Sequence, residues 1–278
     1  GSRLYPLTIG VSKQLLPVYD KPMIYYPISV LMLAGIREIL VISTSEYLPQ
    51  FQKVLGDGKQ WGIDLNYKIQ LSPNGLAEAF IIAEEFLNGD PSTLILGDNI
   101  FFGHGLPEIL LAAGRRENGA TIFGYHVKDP ERYGVVGFDE KGNAHSIHEK
   151  PEKPISNYAI TGIYFADETA PTRAKQVEPS ERGELEITSL LESYLKDDSL
   201  NVEKMGRGFA WFDTGTHNSL MDAGNFVRTL TERQGLQVGS PDEVAYKLDW
   251  ISVKQLQATA KKFGKNRYGG YLNFLSQF

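Results

Sequence analysis

The sequence predicts an α/β fold: a Rossmann-like, mostly parallel sheet with helices on both faces, an antiparallel extension and a helical C-terminal part. Three observations carry this. Continuously apolar runs alternate with segments of helical period over the first two-thirds of the chain. Between Glu131 and Phe165 the texture changes to strands separated by turn residues, and residues 216–277 are patterned mainly as helix.

In order, EILVIS (38–43) reads as a β-branched strand, and GLAEAFIIAEEFLNG (75–89) as a helix closed by Asn-Gly. STLILGD (92–98) is a second buried strand that carries Asp98 at its C-terminal end. PEILLAAGRRENG (107–119) repeats the helix signal with another Asn-Gly, and ATIFGYHV (120–127) is a third strand. The stretch YGVVGFDEKGNAHSIHEKP places a DEKGN turn between two strands, and YAITGIYFAD supplies one more. GELEITSLLESYLKDD (183–198) is a helix and NVEKMG a short strand. The organisation expected is a core over 1–215 and a mainly helical part over 216–278, with no internal repeat.

Composition limits the function. The chain has 278 residues, 42% hydrophobic and 22% charged, enough for a sizeable core and ordinary for a globular protein. A net charge of -6 argues against a nucleic-acid partner but allows a local basic pocket for a phosphorylated ligand. With no cysteine, disulfides, thiolate metal sites and cysteine nucleophiles are excluded, which fits a reducing compartment. No run approaches the roughly 18 apolar residues of a membrane span. The expectation is a soluble cytoplasmic protein without a membrane partner.

Several polar residues stand where chemistry is possible. Asp98 ends an apolar strand, where open α/β sheets bind ligands, and is either a Mg²⁺ ligand or a turn cap. Asp213, in AWFDTGTHNS, is either a second metal-binding acid or, with Thr214 or Thr216, the cap of a following helix. Glu149 and Lys150 are adjacent before a proline; alternation puts them on opposite faces unless the bend presents both, and the plain alternative is a solvated turn. Gly75 precedes a helix whose N–H groups suit an anion or a base edge, and is equally ordinary turn chemistry. Tyr133, Gly134, Arg182 and Glu184 are further candidates for a polar ligand, or parts of a hairpin and a helix start. His145 and His148 have no metal-ligand spacing and read as surface residues.

Taken together, SKQLLPVYDKPMIYYPISVLMLAGI (12–36), GLAEAF, LILGDNIF, DPERYGVV, EKP, NYAITGIYF, ERGELEIT, GRGFAWFDTGTH and ERQGLQV resemble, in order, the sugar-phosphate nucleotidylyltransferases. The similarity runs from Arg3 to about Tyr271. It implies attack of a sugar 1-phosphate oxygen on the α-phosphorus of a nucleoside triphosphate, assisted by Mg²⁺. The substrates implied are dTTP and glucose 1-phosphate, in nucleotide-sugar synthesis for deoxysugars such as rhamnose. UTP or another sugar 1-phosphate is the enzymatic alternative, and a non-catalytic nucleotide-sugar binder the other.

By the same resemblance Asp98 and Asp213 hold the metal, and Arg3, Lys13 and Gln14 meet the nucleotide. Gln70 and Gly75 read the base. Tyr133, Gly134, Glu149, Lys150, Ile160 and Arg182 line the sugar-phosphate site, and Arg3, Lys150, Asp98 and Asp213 carry the catalysis. The helical part implies subunit contacts in a homotetramer and a regulatory nucleotide site. The family opens with a strand and a loop of the form L-A-G-G-x-G-T-R-L, whereas this chain opens GSRLYPLT. Gly1 and Ser2 are expected either to end that loop, with Ser2 in place of Thr, or to be foreign to it.

Overall fold

Strands and helices form close to where the apolar periodicities place them. The computed structural model describes residues 2–277, so Gly1 of the expected loop lies outside the described residues. In chain order the elements are β1 (Pro17–Val18), β2 (Lys21–Pro22), α1 (Tyr25–Leu33), β3 (Glu38–Ser43), α2 (Leu48–Leu55), β4 (Asp64–Ile69), α3 (Glu78–Leu87), β5 (Ser92–Ile95), β6 (Ile100–Gly103), α4 (Leu106–Gly114) and β7 (Ala120–His126). They continue with β8 (Gly134–Phe138), β9 (Ala144–Glu149), β10 (Tyr158–Ala166), α5 (Ala170–Ala174), α6 (Ile187–Lys196), β11 (Leu200–Met205), β12 (Phe209–Phe212), α7 (His217–Gln234), α8 (Pro241–Lys247), α9 (Val253–Phe263) and α10 (Arg267–Leu275).

The α/β class holds, but the main sheet is mixed rather than mostly parallel. β7 and β11 pair in parallel, from Leu200 opposite Ala120 to Met205 opposite Tyr125. β10 runs antiparallel to β5, β7 and β8, and β8 antiparallel to β9. A continuously apolar run signals burial on both faces and says nothing about direction. β10 is buried from Ala159 to Ala166: β7 on one side and β5 or β8 on the other cover its edges, and Ile160, Tyr164 and Ala166 join a core with residues of α3, α5 and α6.

Two boundaries moved. β5 ends at Ile95, and Asp98 sits in the turn that follows rather than on the strand. The first Asn-Gly does stop its helix, with Asn88 at φ 50°. The second does not: α4 ends at Gly114, and Gly119, at φ 82°, instead turns the chain into β7, where a Cβ would lie 2.1 Å from the Ser199 carbonyl.

The chain makes two compact units, one of residues 1–67, 97–102 and 212–278, the other of 68–96 and 103–211. Helices α7 to α10 thus belong to the same unit as the first 67 residues, whereas the division at 215/216 follows sequence texture. In the first unit Val18, Met23, Tyr26, Ile100, Ala223, Val227 and Val238 form a core. Beside it Lys21, only 2% exposed, donates to Asp20 at 2.6 Å and Gln237 at 2.7 Å, with the Tyr26 and Tyr268 rings 5.3 and 5.6 Å away. Burial lowers the Lys21 pKa, with the Asp20 carboxylate opposing. Tyr19, at φ 59°, donates to Glu232 at 2.9 Å and accepts from Arg267, which is itself paired with Glu232. These contacts tie the β1–β2 hairpin to the C-terminal helices.

In the second unit Ile122, Val136, Ile147, Tyr164, Ile187, Leu190 and Tyr194 are among the buried core residues. Each such side chain contributes about 1.5–3 kcal/mol relative to exposure, which fixes α6 on the sheet. Among the described residues no helix is long and apolar enough to cross a membrane.

Candidate active site

In the first unit the segment 12–24 positions two polar side chains. Lys13 and Gln14 lie in a short 3-10 turn, which is fixed by the Ile24 N–H donating to the Gln14 carbonyl at 2.8 Å and the Met23 N–H to the Leu16 carbonyl at 2.9 Å. Lys13 Nζ forms an ion pair with Asp98 Oδ2, the two side chains being 11% and 24% exposed. Asn99 Nδ2 donates to the other Asp98 oxygen at 2.9 Å, and Thr214, fully buried, donates to the Asp98 carbonyl at 2.7 Å. Gly97 explains the glycine before this acid: a Cβ there would stand 3.0 Å from Gln14 Cγ and 3.2 Å from Ile24. Asp98 is therefore held by backbone and side chain alike within the turn after β5, where no helix begins.

Asp213 is not the helix cap either. Thr216 caps α7, accepting from the Ser219 N–H at 3.1 Å in a reciprocal capping box. At Gly215 a Cβ would lie 3.5 Å from Asp213 Oδ2 and 3.8 Å from an Arg3 guanidinium nitrogen, so both charged groups border the same glycine. Each of these acids offers the hard oxygen donors that Mg²⁺ takes, one or two carboxylates at a time with phosphates and water. Among the described residues no group of three or more acids or histidines is placed to hold a metal ion.

In the second unit five predicted residues gather about a sixth, Glu149. β9 ends on Glu149, and Lys150 adopts φ 40°, which breaks strand alternation and brings its Nζ to 3.0 Å from Glu149 Oε1. The bend thus presents both side chains together. The Lys150 N–H donates to the Tyr133 carbonyl at 3.0 Å, and the Tyr133 ring packs 5.2 Å from Trp211. Arg182 reaches Glu149 at 3.2 Å and Glu186 at 2.7 Å, and its hydrogen bond to Glu186 raises its pKa further. Gly134 pairs with Glu149 across the ladder; a Cβ there would be 2.8 Å from Thr188 and 3.4 Å from Ile160. Ile160, 6% exposed, begins the irregularity in β10 that re-registers at Tyr164.

Also in the second unit, Gly75 has φ 111°, and a Cβ would collide with the Leu185 carbonyl at 2.4 Å. The loop is strapped there by Leu185 N–H to the Asn74 carbonyl (2.6 Å) and Ala77 N–H to the Leu185 carbonyl (3.1 Å). Gln70 Nε2 donates to the Gly75 carbonyl at 3.4 Å and to Glu78 at 2.6 Å. His145 and His148 are exposed on either side of buried Ile147.

Sequence reasoning missed the supports. Asn99 and Thr214 hold Asp98, Thr188 donates to Glu149 at 3.3 Å, Glu186 anchors Arg182, and Glu78 holds Gln70. Their only signal was adjacency to a motif, since Glu186 and Thr188 stand inside GELEIT and Glu78 inside GLAEAF.

A model of the nucleotidyl transferase family matches residues 1–229, and the chain belongs to that family. Within it, the chain is 58% identical over 277 residues to the glucose-1-phosphate thymidylyltransferase of Xanthomonas campestris pv. campestris, covering 100% of this chain and 94% of that one. It is 56% identical over 272 residues to the enzyme of that name from Neisseria gonorrhoeae, covering 98% and 94%. A Bacillus anthracis structure in complex with sucrose, provisionally assigned the same name, superposes with a TM-score of 0.75 at 38% identity over 82% of this chain and 91% of that one. UDP-glucose pyrophosphorylase bound to UDP-glucose shares the fold, with a TM-score of 0.69 at 21% identity, over 82% and 94%.

Proposed function

We propose that the chain transfers a thymidylyl group from dTTP to glucose 1-phosphate, giving dTDP-glucose and pyrophosphate. The observation that carries this is the 58% identity along the whole chain to proteins of that name. A sugar-phosphate oxygen bonds to the α-phosphorus as the bond to the bridging oxygen breaks, and the departing pyrophosphate keeps the electron pair. The nucleophile is already an anion, so no general base is needed; positioning and charge neutralisation do the work.

Arg3 and Lys13 neutralise the triphosphate, and Gln14 contacts the nucleotide. Lys150 meets the sugar phosphate and aims its oxygen. Tyr133, Gly134, Glu149, Ile160 and Arg182 shape the sugar site, with the Glu149 carboxylate accepting from sugar hydroxyls. Gln70 and Gly75 read the base. Asp98 and Asp213 hold Mg²⁺, which when bound offsets the charge of the phosphates. Lys13 is already seated on Asp98, so its ammonium is in place before substrate arrives. The helices after residue 216 make subunit contacts in a homotetramer, and the protein works in the cytoplasm; light scattering at several concentrations checks the assembly.

The test is pyrophosphate release from glucose 1-phosphate with dTTP, UTP, ATP and GTP in turn, with and without Mg²⁺. Release with dTTP that stops on chelation is expected. A preference for ATP or GTP overturns the reading of the base site, and no release with any triphosphate favours a binder.

A further inference from the structure

Gln70 and Glu78 flank the loop that carries Gly75. The Glu78 carboxylate accepts from two amides, Gln70 Nε2 at 2.6 Å on one oxygen and Asn74 Nδ2 at 2.8 Å on the other. The second N–H of Gln70 faces the Gly75 carbonyl at 3.4 Å. An ionised carboxylate only accepts, so the amide must turn its NH₂ end toward Glu78; the orientation follows from chemistry. Both donors of Gln70 are then spent inside the protein. What remains for a ligand is the carbonyl oxygen Oε1.

We propose that Glu78 is a positioning residue for base selection. By locking the Gln70 amide, it presents an acceptor where the base binds, which suits the ring N3–H of thymine or uracil. Cytosine is disfavoured, because its ring N3 is itself an acceptor and would face Oε1 without a proton between them. A glutamine at position 78 offers either end of its own amide and removes the stronger half of this lock, leaving only the 3.4 Å contact with the Gly75 carbonyl to oppose Gln70 turning its NH₂ group to cytosine. This inference rests on the reading of Gln70 as a base contact.

The experiment compares kcat/KM for dTTP and dCTP, with glucose 1-phosphate as co-substrate. For Glu78→Gln the dTTP:dCTP ratio is expected to fall about tenfold, the scale of one well-placed hydrogen bond, with the KM for glucose 1-phosphate unchanged. The double variant Gln70→Glu/Glu78→Gln restores an acceptor-only contact held by an amide donor, and the ratio recovers. Glu78→Asp, too short to reach both amides, gives the same drop and serves if Glu78→Gln does not fold. A ratio moved by Gln70→Ala but untouched in the folded Glu78 variants overturns the role of Glu78. A ratio unmoved by Gln70→Ala overturns the base-contact reading itself.

Discussion

Asp98 in the first unit and Glu149 in the second are both carboxylates already paired with cations, yet they are held in different ways. Lys13 on Asp98 is 11% exposed, and Asn99, Thr214 and the close approach at Gly97 fix the acid from several sides. Lys150 and Arg182 on Glu149 are 46% and 44% exposed, and Arg182 is shared with Glu184 and Glu186. An exposed pair is worth only about 0.2–1 kcal/mol, whereas a half-buried one is stiffer and less screened. The first unit offers a fixed charge and the second an exchangeable set, so a ligand phosphate displaces partners more readily around Glu149.

The contrast can be broken or sharpened by four measurements. Asp98→Asn is expected to lower single-turnover pyrophosphate release about 10³-fold while leaving dTDP-glucose binding within about threefold, the scale of losing one preorganised charge. Full turnover in this variant removes Asp98 from the chemistry. Next in size, Lys21→Met strands Asp20 and Gln237 beneath the hairpin that leads to Lys13, and costs about 3 kcal/mol in urea denaturation. An unchanged midpoint means the hairpin does not depend on that amine.

Around Glu149 the expected effect is smaller. Arg182→Ala raises the KM for glucose 1-phosphate about tenfold with kcat within about threefold, because Lys150 still occupies Glu149. Were kcat to collapse as in Asp98→Asn, the two units would not differ as described. The smallest effect is at the surface. Its hydrogen bond with Arg267, then that with Tyr19, holds Glu232 down to about 2 from the usual 4.5. A depressed carboxyl stabilises the fold above the unfolded pKa and loses that contribution as pH falls from about 4.5 toward 2. Wild type and Glu232→Gln should therefore melt apart at pH 6 and converge near pH 2.

The class of the fold was legible because apolar period reports burial, and β3, β7 and α6 fall close to where that period puts them. Strand direction was legible only in part: the antiparallel extension expected between Glu131 and Phe165 is formed by β8, β9 and β10, whereas the apolar run of β5 gave no sign that it pairs antiparallel with β10. At the site, the charged residues named from motifs do meet within each unit, Lys13 with Asp98 and Lys150 with Glu149 and Arg182. Their orienting partners stayed hidden, since a threonine such as Thr214 has no local pattern that separates it from a cap. Thr216, two residues on, took that role.

The left-handed backbone at Lys150 has an evolutionary consequence. Lysine there costs of the order of 1 kcal/mol relative to glycine, and asparagine less, so either would make a more stable fold. Either would also delete the amine beside Glu149. A lineage that keeps lysine at this bend accepts a weaker fold in return for a charge, and random drift alone would tend to erase it.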